Sequence, residues 1–303
     1  MHESSFWNAD PHVLLRVGPG FRLADGDPDA TPGTSADRAA GESELALRAQ
    51  ELRELQEKLF AQSRLGAKDR LLVVLQAMDA AGKGGIVNRV FAQLEPYGLA
   101  LTAFKSPTAE ERRHDFLWRV EPRVPGPGMF GVFDRSHYED VLIQRVHGLV
   151  SEEEIERRYL AILDFERRIT EVGVRVVKVM LHVSPEEQAN RLEARLDTPE
   201  KHWKYRPSDL DERAYWADYM EAFQIAIDRT EAPHAPWYVI PANRKWYARA
   251  AVQRIVIDEL RRIGPEWPSA DFDVAAERSR LAASRDLRWP ESPGLDSGGA
   301  RHP

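Results

Sequence analysis

The chain of 303 residues contains no cysteine. Disulfide bonds, cysteine-ligated zinc, iron–sulfur clusters and thiol nucleophiles are therefore excluded together, and a reducing compartment is permitted. The sequence also lacks any run of about 18 uncharged apolar residues, the length that a membrane span requires. Its first residues lack the basic and apolar regions of a secretory signal. We therefore expect a cytoplasmic protein that does not associate with membranes.

An excess of basic charge is also missing. The chain carries 42 lysine and arginine residues against 49 aspartate and glutamate residues, which gives a formal net charge of −7. Proteins that coat nucleic acids owe their affinity to excess basic charge, so nucleic acid is not an expected partner. The segment 71–263 is nearly neutral, however, with 28 basic and 30 acidic side chains. A local basic site in this segment remains compatible with the composition.

Composition divides the chain into three parts. Apolar residues make up 43% of the sequence, which is enough for a substantial core and excludes disorder of the whole chain. Segment 25–41 is rich in Asp, Pro, Gly and small residues, as linkers are, and the tail from Pro290 has a disordered composition. We predict an N-terminal extension and linker over 1–41, one domain over 42–263, and a C-terminal tail over 264–303.

The hydrophobic pattern of the central domain predicts alternating strands and helices. A continuous apolar run, typical of a strand buried on both faces, occurs at 71–75, and similar predominantly apolar runs occur at 99–104, 129–133, 174–183 and 237–240. Amphipathic or well-capped helical segments are predicted at 42–64, 84–94, 151–172 and 185–196. This order predicts an α/β fold in which a parallel sheet is covered on both faces and the active site lies at the carboxyl ends of the strands.

The first apolar run leads directly into the sequence AMDAAGKGG, residues 77–85. A Gly-Lys pair between a buried strand and a helix is typical of a phosphate-binding loop, in which backbone N–H groups and Lys83 bind phosphate oxygens. The match is imperfect, since Ala77 replaces the first glycine and Gly84 replaces the hydroxyl residue that usually binds Mg²⁺. The alternative is an ordinary strand-to-helix turn.

Two aspartates complete the predicted phosphate site. Asp79 lies inside the loop, where phosphates would repel its carboxylate unless it binds a metal ion or accepts a proton from the nucleophile. Asp134 directly follows the apolar run 129–133, as the Mg²⁺-binding aspartate of a Walker B motif does, and Arg135 would face the same phosphates. Alone, an aspartate at the end of a strand is usually a turn or cap residue.

A basic cluster follows the fourth predicted strand. Five cationic side chains fall within 16 residues, at Arg191, Arg195, Lys201, Lys204 and Arg206. Arg191 and Arg195 lie four residues apart, so they share one face of the predicted helix, where they could neutralise a polyanion or a transferring phosphoryl group. The alternative is a solvated helix face with ordinary ion pairs. Three further residues could extend the basic surface: Lys105, Arg112 and Arg113.

Several long motifs resemble the polyphosphate kinase 2 family. They include AMDAAGKGG, GVFDRSHYEDVL, HVSPEEQANRLEARL, HWKYRPSDLDERAYWADYMEAF and APWYVIPANRKWY, and the resemblance covers roughly residues 14–263. It implies a P-loop kinase of the thymidylate-kinase-like kind: a three-layer αβα sandwich with a parallel sheet and a helical lid, at about 185–213. Asn243, where most members have Asp, is a departure in this chain.

The resemblance implies transfer of a phosphoryl group between inorganic polyphosphate and AMP or ADP, with Mg²⁺ or alternatively Mn²⁺. The implied catalytic residues are Asp79, Lys83, Asp134, Arg135 and Arg195, of which Asp79 and Asp134 would also hold the metal. The implied nucleotide- and polyphosphate-binding residues are Ala81, Gly82, Gly84, Gly85, Lys105, Arg112, Arg113, Glu139, Arg191, Lys201 and Lys204. Of these, Glu139 lies five residues after Asp134 in the motif FDRSHYED, which resembles the motif of family members that phosphorylate AMP. A homo-oligomer, dimer or tetramer, is also implied.

Three other functions stay open on the sequence alone. The protein could phosphorylate only ADP, or it could be an ATP-dependent nucleotide kinase on the same scaffold. A non-catalytic polyanion- or RNA-binding protein would also use the basic cluster. Guanine nucleotides are open as acceptors beside adenine nucleotides.

Overall fold

The computed structural model describes residues 6–285, in which five strands form one parallel sheet in the order β2–β3–β1–β4–β5. The strands are β1 (Arg70–Ala77), β2 (Leu99–Ala103), β3 (Phe130–Asp134), β4 (Val174–His182) and β5 (Trp237–Pro241). All five predicted strands are confirmed. The central strands consist of buried residues over almost their whole length because both faces of the sheet are covered.

Helices connect the strands. The α-helices are α1 (Pro11–Leu14), α2 (Arg38–Ser63), α3 (Lys83–Arg89), α4 (Ile143–Val146), α5 (Glu152–Glu171), α6 (Pro185–Leu196), α7 (Pro207–Asp211), α8 (Trp216–Thr230), α9 (Lys245–Ile263) and α10 (Val274–Ser284). Short 3₁₀ helices are Leu23–Asp25, Phe91–Gln93, Pro96–Gly98, Glu111–Arg113, Glu121–Arg123, His137–Asp140, Pro199–Lys204 and Glu212–Tyr215. The segment 185–213, which we call the lid segment, is helical almost throughout.

Two groups of helices cover the sheet. Helices α2 and α3 pack on α9, which also contacts β4 and β5. Helices α4 and α8 pack on α5, which contacts β4. The architecture is therefore the expected three-layer αβα arrangement, with the carboxyl ends of all five strands at one edge of the sheet.

The segment before α2 differs from the prediction in two respects. Helix α2 begins at Arg38 rather than at residue 42, because the Asp37 side chain accepts a hydrogen bond from the Ala40 N–H and caps the helix. Residues predicted as an extension also pack on the core: Val17 N–H donates to the Trp237 carbonyl over 2.9 Å, and Arg16 pairs with Tyr238 in an antiparallel bridge. The domain boundaries themselves stay predictions.

The third helical prediction needs a small correction. Helix α3 ends at Arg89, and a 3₁₀ turn over Phe91–Gln93 follows, where the sequence predicted one helix over 84–94. Val90 is the C-cap of α3, and the side chains of Val90 and Phe91 are both buried in the core.

The described chain forms two compact units. The larger ends at Trp267, and the second begins at Pro268 and contains α10, whose residues are almost all exposed. Among residues 6–285, no helix has the length and apolar character that crossing a membrane requires. The tail predicted to be disordered from Pro290 lies outside the described residues.

Candidate active site

The loop between β1 and α3 has the backbone geometry of a tight anion-binding turn. Ala80 and Gly82 adopt positive φ angles of 59° and 122°. The buried Lys83 side chain folds back under the loop, where its Nζ donates to the Ala77 carbonyl over 2.7 Å and to the Met78 carbonyl over 3.3 Å. Burial lowers the pKa of Lys83, and the nearby Asp79 carboxylate offsets part of this effect. The loop thus holds one ammonium group beneath a helix N-terminus.

Asp79 and Arg135 connect this loop to the end of β3. The Arg135 guanidinium donates to Asp79 Oδ1 over 2.5 Å. Burial alone would raise the pKa of Asp79, but Lys83, Arg135 and Arg195 lower it below its usual value, so the carboxylate is ionised. Arg135 itself has a positive φ of 64°, a strained backbone conformation of the kind that clusters at functional sites.

Asp134 has an unusual environment for a half-buried carboxylate. It ends β3 in register with Leu75 of β1, so it faces the phosphate loop from the neighbouring strand. Within residues 6–285 its carboxylate has no hydrogen-bond or ion-pair partner, although it lies within electrostatic reach of Lys83 and Arg135. A free carboxylate at this place fits Mg²⁺, which is usually bound by one or two carboxylates together with substrate phosphates.

Glu139 lies on the same side of the site. It follows β3 in the 3₁₀ helix His137–Asp140, and the amide nitrogen of Gln76, in the orientation that also satisfies Ser136, is 2.9 Å from Glu139 Oε1. Burial raises the pKa of the Glu139 carboxyl, while Arg135 and Lys83 act in the opposite direction. The sequence-predicted residues Asp79, Lys83, Asp134, Arg135 and Glu139 therefore form one cluster of interacting charges.

The two lid arginines have different environments. Arg191 is buried, and its guanidinium donates to the carbonyls of Ala81, Ala242 and Asn243 over 2.5, 2.5 and 3.0 Å, which ties the phosphate loop to the end of β5. These contacts fix the loop, and direct binding of substrate by Arg191 stays a prediction. Arg195 pairs with Asp209 over 3.0 Å and lowers the pKa of Asp79, so it reaches the charge cluster.

The remaining predicted binding residues are spread more widely. Ala81 is buried in the loop, while Gly84 and Gly85 lie in the first turn of α3. The exposed cationic side chains are Lys105, Arg112, Arg113, Lys201 and Lys204. Arg113 is paired with Glu110, and the Lys204 Nζ lies 4.9 Å from the centre of the Trp203 ring. Their contacts with substrate stay predictions.

A group of cations beside the phosphate loop was missed by sequence reasoning. Lys245 and Arg249 lie one turn apart on α9, and Arg249 reaches the first turn of α3, where its Nη2 is 3.4 Å from the position that a Cβ on Gly85 would take. Burial lowers the pKa of both side chains, and repulsion from Arg191 lowers both pKa values further. Repulsion from Arg89 adds to the effect on Arg249. Among the described residues, neither has a carboxylate within ion-pair distance. We call Arg89, Lys245 and Arg249 the cationic track.

A buried polar network supports the loop that follows β3. Lys178 of β4 and Glu166 of α5 form an ion pair of 2.7 Å with side-chain exposures of 0% and 1%. Lys178 also donates to the Thr230 carbonyl over 2.7 Å, and the Tyr138 hydroxyl donates to Glu166 over 2.8 Å. Because Tyr138 lies in the 3₁₀ helix that carries Glu139, the network anchors one wall of the site to the core.

The Glu166 network predicts a pH-dependent stability. Burial would raise the pKa of Glu166, but Lys178 and His137 lower it below the ordinary 4.5. A depressed pKa contributes stability that is present above the unfolded pKa and is lost as the pH falls through the folded pKa. We therefore expect the stability difference between wild type and Glu166→Gln to be constant near neutral pH and to shrink well below pH 4.5. Urea unfolding of both proteins at a series of pH values measures this difference in unfolding free energy. A difference that does not change with pH would refute the depressed pKa of Glu166.

Comparison with known proteins gives consistent matches over most of the chain. The family model described as polyphosphate kinase 2 (PPK2) matches residues 35–266. An AMP/ADP-polyphosphate phosphotransferase of Meiothermus ruber is 42% identical over 251 residues, which is 83% of this chain and 92% of the relative. An ADP-polyphosphate phosphotransferase of Rhodopseudomonas palustris is 38% identical over 253 residues, 80% of this chain and 85% of the relative.

A solved structure supports the same fold. The crystal structure of polyphosphate kinase 2 from Arthrobacter aurescens TC1 superposes with a TM-score of 0.90 at 57% sequence identity. The match covers 92% of this chain and 98% of the other.

Proposed function

The chain belongs to the polyphosphate kinase 2 family, and we propose that it transfers the terminal phosphoryl group of inorganic polyphosphate to AMP and to ADP, reversibly. The observation that carries the proposal is the charge cluster at the ends of β1 and β3. There the unpaired Asp134 carboxylate lies within electrostatic reach of Lys83 and Arg135, and Arg135 in turn holds Asp79. The names of the relatives from Meiothermus ruber and Rhodopseudomonas palustris support the same reaction.

Each residue of the cluster has a distinct chemical task in this proposal. The Lys83 ammonium and the N–H groups at the start of α3 bind phosphate oxygens, because both carry positive charge towards the loop. Arg135 and Arg195 neutralise the charge on the phosphoryl group during in-line transfer. Asp79, ionised because its pKa is depressed, orients the acceptor phosphate or accepts its proton.

Asp79 and Asp134 are the residues that would hold Mg²⁺, with Mn²⁺ as an alternative. A bound divalent cation supplies charge neutralisation of the phosphate oxygens. Asp134 is free to take this role without breaking an existing contact, whereas Asp79 would exchange part of its contact with Arg135.

We propose that the polyphosphate chain extends over the cationic track. Lys245 and Arg249 repel each other and neighbouring cations, and this repulsion is relieved when a polyanion binds. The track begins beside Gly85 of the phosphate loop, so a chain whose terminal phosphate is in the site can reach it. An acidic protein can thereby bind a more acidic substrate through local charge.

Replacing Lys245 and Arg249 together with alanine is expected to raise the KM for long polyphosphate about tenfold with little change in kcat. The reason is that the track binds distant phosphates and not the transferring one. The effect should weaken as salt screens the contact. Initial rates against polyphosphate concentration at low and high ionic strength measure it. Lys68→Ala, an exposed lysine before the amino end of β1, is the matched control. An unchanged KM of the double variant at low salt would contradict the proposal that polyphosphate extends over the cationic track.

The acceptor preference follows from Glu139. Glu139 lies near Lys83 and Arg135, and its motif FDRSHYED resembles that of family members that phosphorylate AMP, which leads us to propose that AMP is phosphorylated as well as ADP. The relative from Meiothermus ruber is named for both acceptors, and the one from Rhodopseudomonas palustris for ADP alone. Guanine nucleotides, a homo-oligomeric state and a cytoplasmic location stay parts of the proposal that need their own tests.

The proposal is tested by incubating the protein with Mg²⁺, polyphosphate and either AMP or ADP in the absence of ATP. Ion-exchange chromatography should show ADP and then ATP from AMP, and ATP from ADP. Product from ADP alone would restrict the acceptor to ADP. No product with polyphosphate, but ADP from AMP plus ATP, would identify an ATP-dependent nucleotide kinase. Salt-sensitive binding of polyphosphate or RNA without any turnover would indicate a binding protein.

A further inference from the structure

One polar residue interrupts the apolar strand that leads into the phosphate loop. From residue 71 to residue 77, β1 consists of apolar residues except at Gln76, whose side chain is buried and 0% exposed. β1 is the central strand of the sheet, with Met180 of β4 opposite Gln76 and Asp134 of β3 opposite the preceding Leu75. A buried amide costs free energy unless it is hydrogen-bonded, so its partners indicate why this position is polar.

The hydrogen bonds of the Gln76 side chain run to the segment that follows β3. Its oxygen accepts from the Ser136 N–H and from the Ser136 hydroxyl, each over 3.0 Å, and its nitrogen donates to Glu139 Oε1 over 2.9 Å. The Ser136 hydroxyl in turn accepts from the Tyr138 N–H over 3.1 Å. The opposite amide orientation would place the Gln76 oxygen against the Glu139 carboxylate and leave the Ser136 N–H without this acceptor.

Glu139 depends on this contact for its orientation. The residues on either side of it, Tyr138 and Asp140, are buried, whereas Glu139 is partly exposed at the site. Within residues 6–285, the Gln76 amide is the one hydrogen-bond donor to the Glu139 carboxylate, and the nearby cations act on it through charge alone. Charge at a distance does not fix the direction in which a carboxylate points, whereas a hydrogen bond from a rigid strand does.

We propose that Gln76 is a positioning residue that sets the acceptor specificity, by holding the Glu139 carboxylate in the orientation that AMP requires. The inference rests on the proposed function, in which Glu139 carries the use of AMP beside ADP. Gln76 does not bind the nucleotide itself, because its side chain is fully buried. The same strand end provides the Ala77 carbonyl that binds Lys83, so one rigid element aligns both the phosphate loop and Glu139.

A Gln76→Met variant of the full-length protein tests the proposal, because methionine has a similar length and flexibility but cannot donate to Glu139. We expect kcat/KM with AMP to fall about tenfold, the loss of one hydrogen bond to a charged group, and kcat/KM with ADP to change less than about twofold. Initial rates with each acceptor, at saturating polyphosphate and Mg²⁺, measure the ratio. An unchanged ratio in the folded variant would overturn the proposal.

Gln56→Met is the matched control. Gln56 of α2 is also 0% exposed, and its hydrogen bonds run to the backbone of Glu95, with a donor distance of 3.3 Å and an acceptor distance of 3.0 Å. Its replacement removes a buried amide without changing any contact of Gln76 or Glu139. We expect both variants to unfold at a lower temperature and only Gln76→Met to change the acceptor ratio. An equal change of the ratio in both variants would show a merely structural effect and overturn the proposal.

A double-mutant cycle tests whether Gln76 acts through Glu139, and it does not need Gln76→Met to fold. Gln76→Glu puts a carboxyl oxygen where the amide nitrogen lies, 2.9 Å from Glu139 Oε1, so we expect a lower ratio of AMP to ADP use. In the Glu139→Gln background the same change should leave the ratio as Glu139→Gln alone sets it, because an amide at position 139 can donate to the new carboxylate. Additive effects of the two changes would overturn the proposal.

The wild-type protein separates a failure of this inference from a failure of the proposed function. Wild type that uses neither acceptor, or ADP alone, would refute the proposed use of AMP and this inference with it. Wild type that uses both acceptors, together with folded Gln76 variants that keep its acceptor ratio, would refute the inference alone.

Discussion

An Asp134→Asn variant is expected to lose about 10³-fold or more of its kcat/KM while its fold stays intact. Asparagine has almost the same shape, so the end of β3 keeps its register with β1. The variant loses the one free carboxylate that faces Lys83 and Arg135 in the described structure. Removing a group that stabilises charge in a water-poor site typically costs a factor of 10²–10³, and a metal ligand is expected to lie at or above the top of that range.

Three measurements separate this role from a structural one. Initial rates with polyphosphate and AMP should fall as stated, whereas the free energy of unfolding should change by no more than about 1 kcal/mol, because the carboxylate has no hydrogen-bond or ion-pair partner to lose. Mn²⁺ binding in the presence of ADP, followed by electron paramagnetic resonance, should weaken. Asp164→Asn, an exposed residue of α5, is the matched control. Full activity of Asp134→Asn would refute the role of this carboxylate.

A Lys178→Met variant is expected to lose about 3–5 kcal/mol of unfolding free energy. Methionine is similar to lysine in length and flexibility, but it leaves the buried Glu166 carboxyl without its main cation. It also removes the donor to the Thr230 carbonyl. Chemical denaturation of wild type and variant measures the loss, which is a large share of the 5–15 kcal/mol typical of a domain.

A double variant distinguishes an unpaired charge from a packing defect. Replacing Lys178 with Met and Glu166 with Leu together removes both charges, and apolar replacement of a buried ion pair is often neutral or stabilising. We expect the double variant to recover most of the stability that the single variant loses, although the Tyr138 hydroxyl loses one acceptor. A double variant that is less stable than Lys178→Met alone would show that the charged pair itself holds the fold.

The sheet and the centre of the site could be predicted because local sequence patterns determine them. The run 71–75 has no polar face and is short, which is typical of a strand that is covered on both sides. Once the strands are parallel, their carboxyl ends meet at one edge of the sheet. Asp79 and Asp134 are 55 positions apart in the sequence, yet this rule brings them to neighbouring strands.

Features that depend on packing between distant elements could not be predicted in the same way. Arg249 reaches Gly85 because α9 packs on α3, and nothing in the local sequence around either residue encodes that contact. The pairing of Arg16 with Tyr238 likewise joins segments more than 200 residues apart. Lys178 did carry a signal, since a lysine inside the apolar run 174–183 requires a buried partner, but its partner Glu166 resembles any other charge on an amphipathic helix.

The most direct test of the central claim follows the phosphoryl group itself. Polyphosphate labelled with ³²P is incubated with unlabelled AMP, Mg²⁺ and the protein without ATP, and the products are separated by thin-layer chromatography. We predict that label appears first in the β-phosphate of ADP and then also in ATP, and that Asp134→Asn forms neither labelled product. Label recovered only as inorganic phosphate, or in nucleotides only after ATP is added, would contradict direct transfer from polyphosphate to the nucleotide.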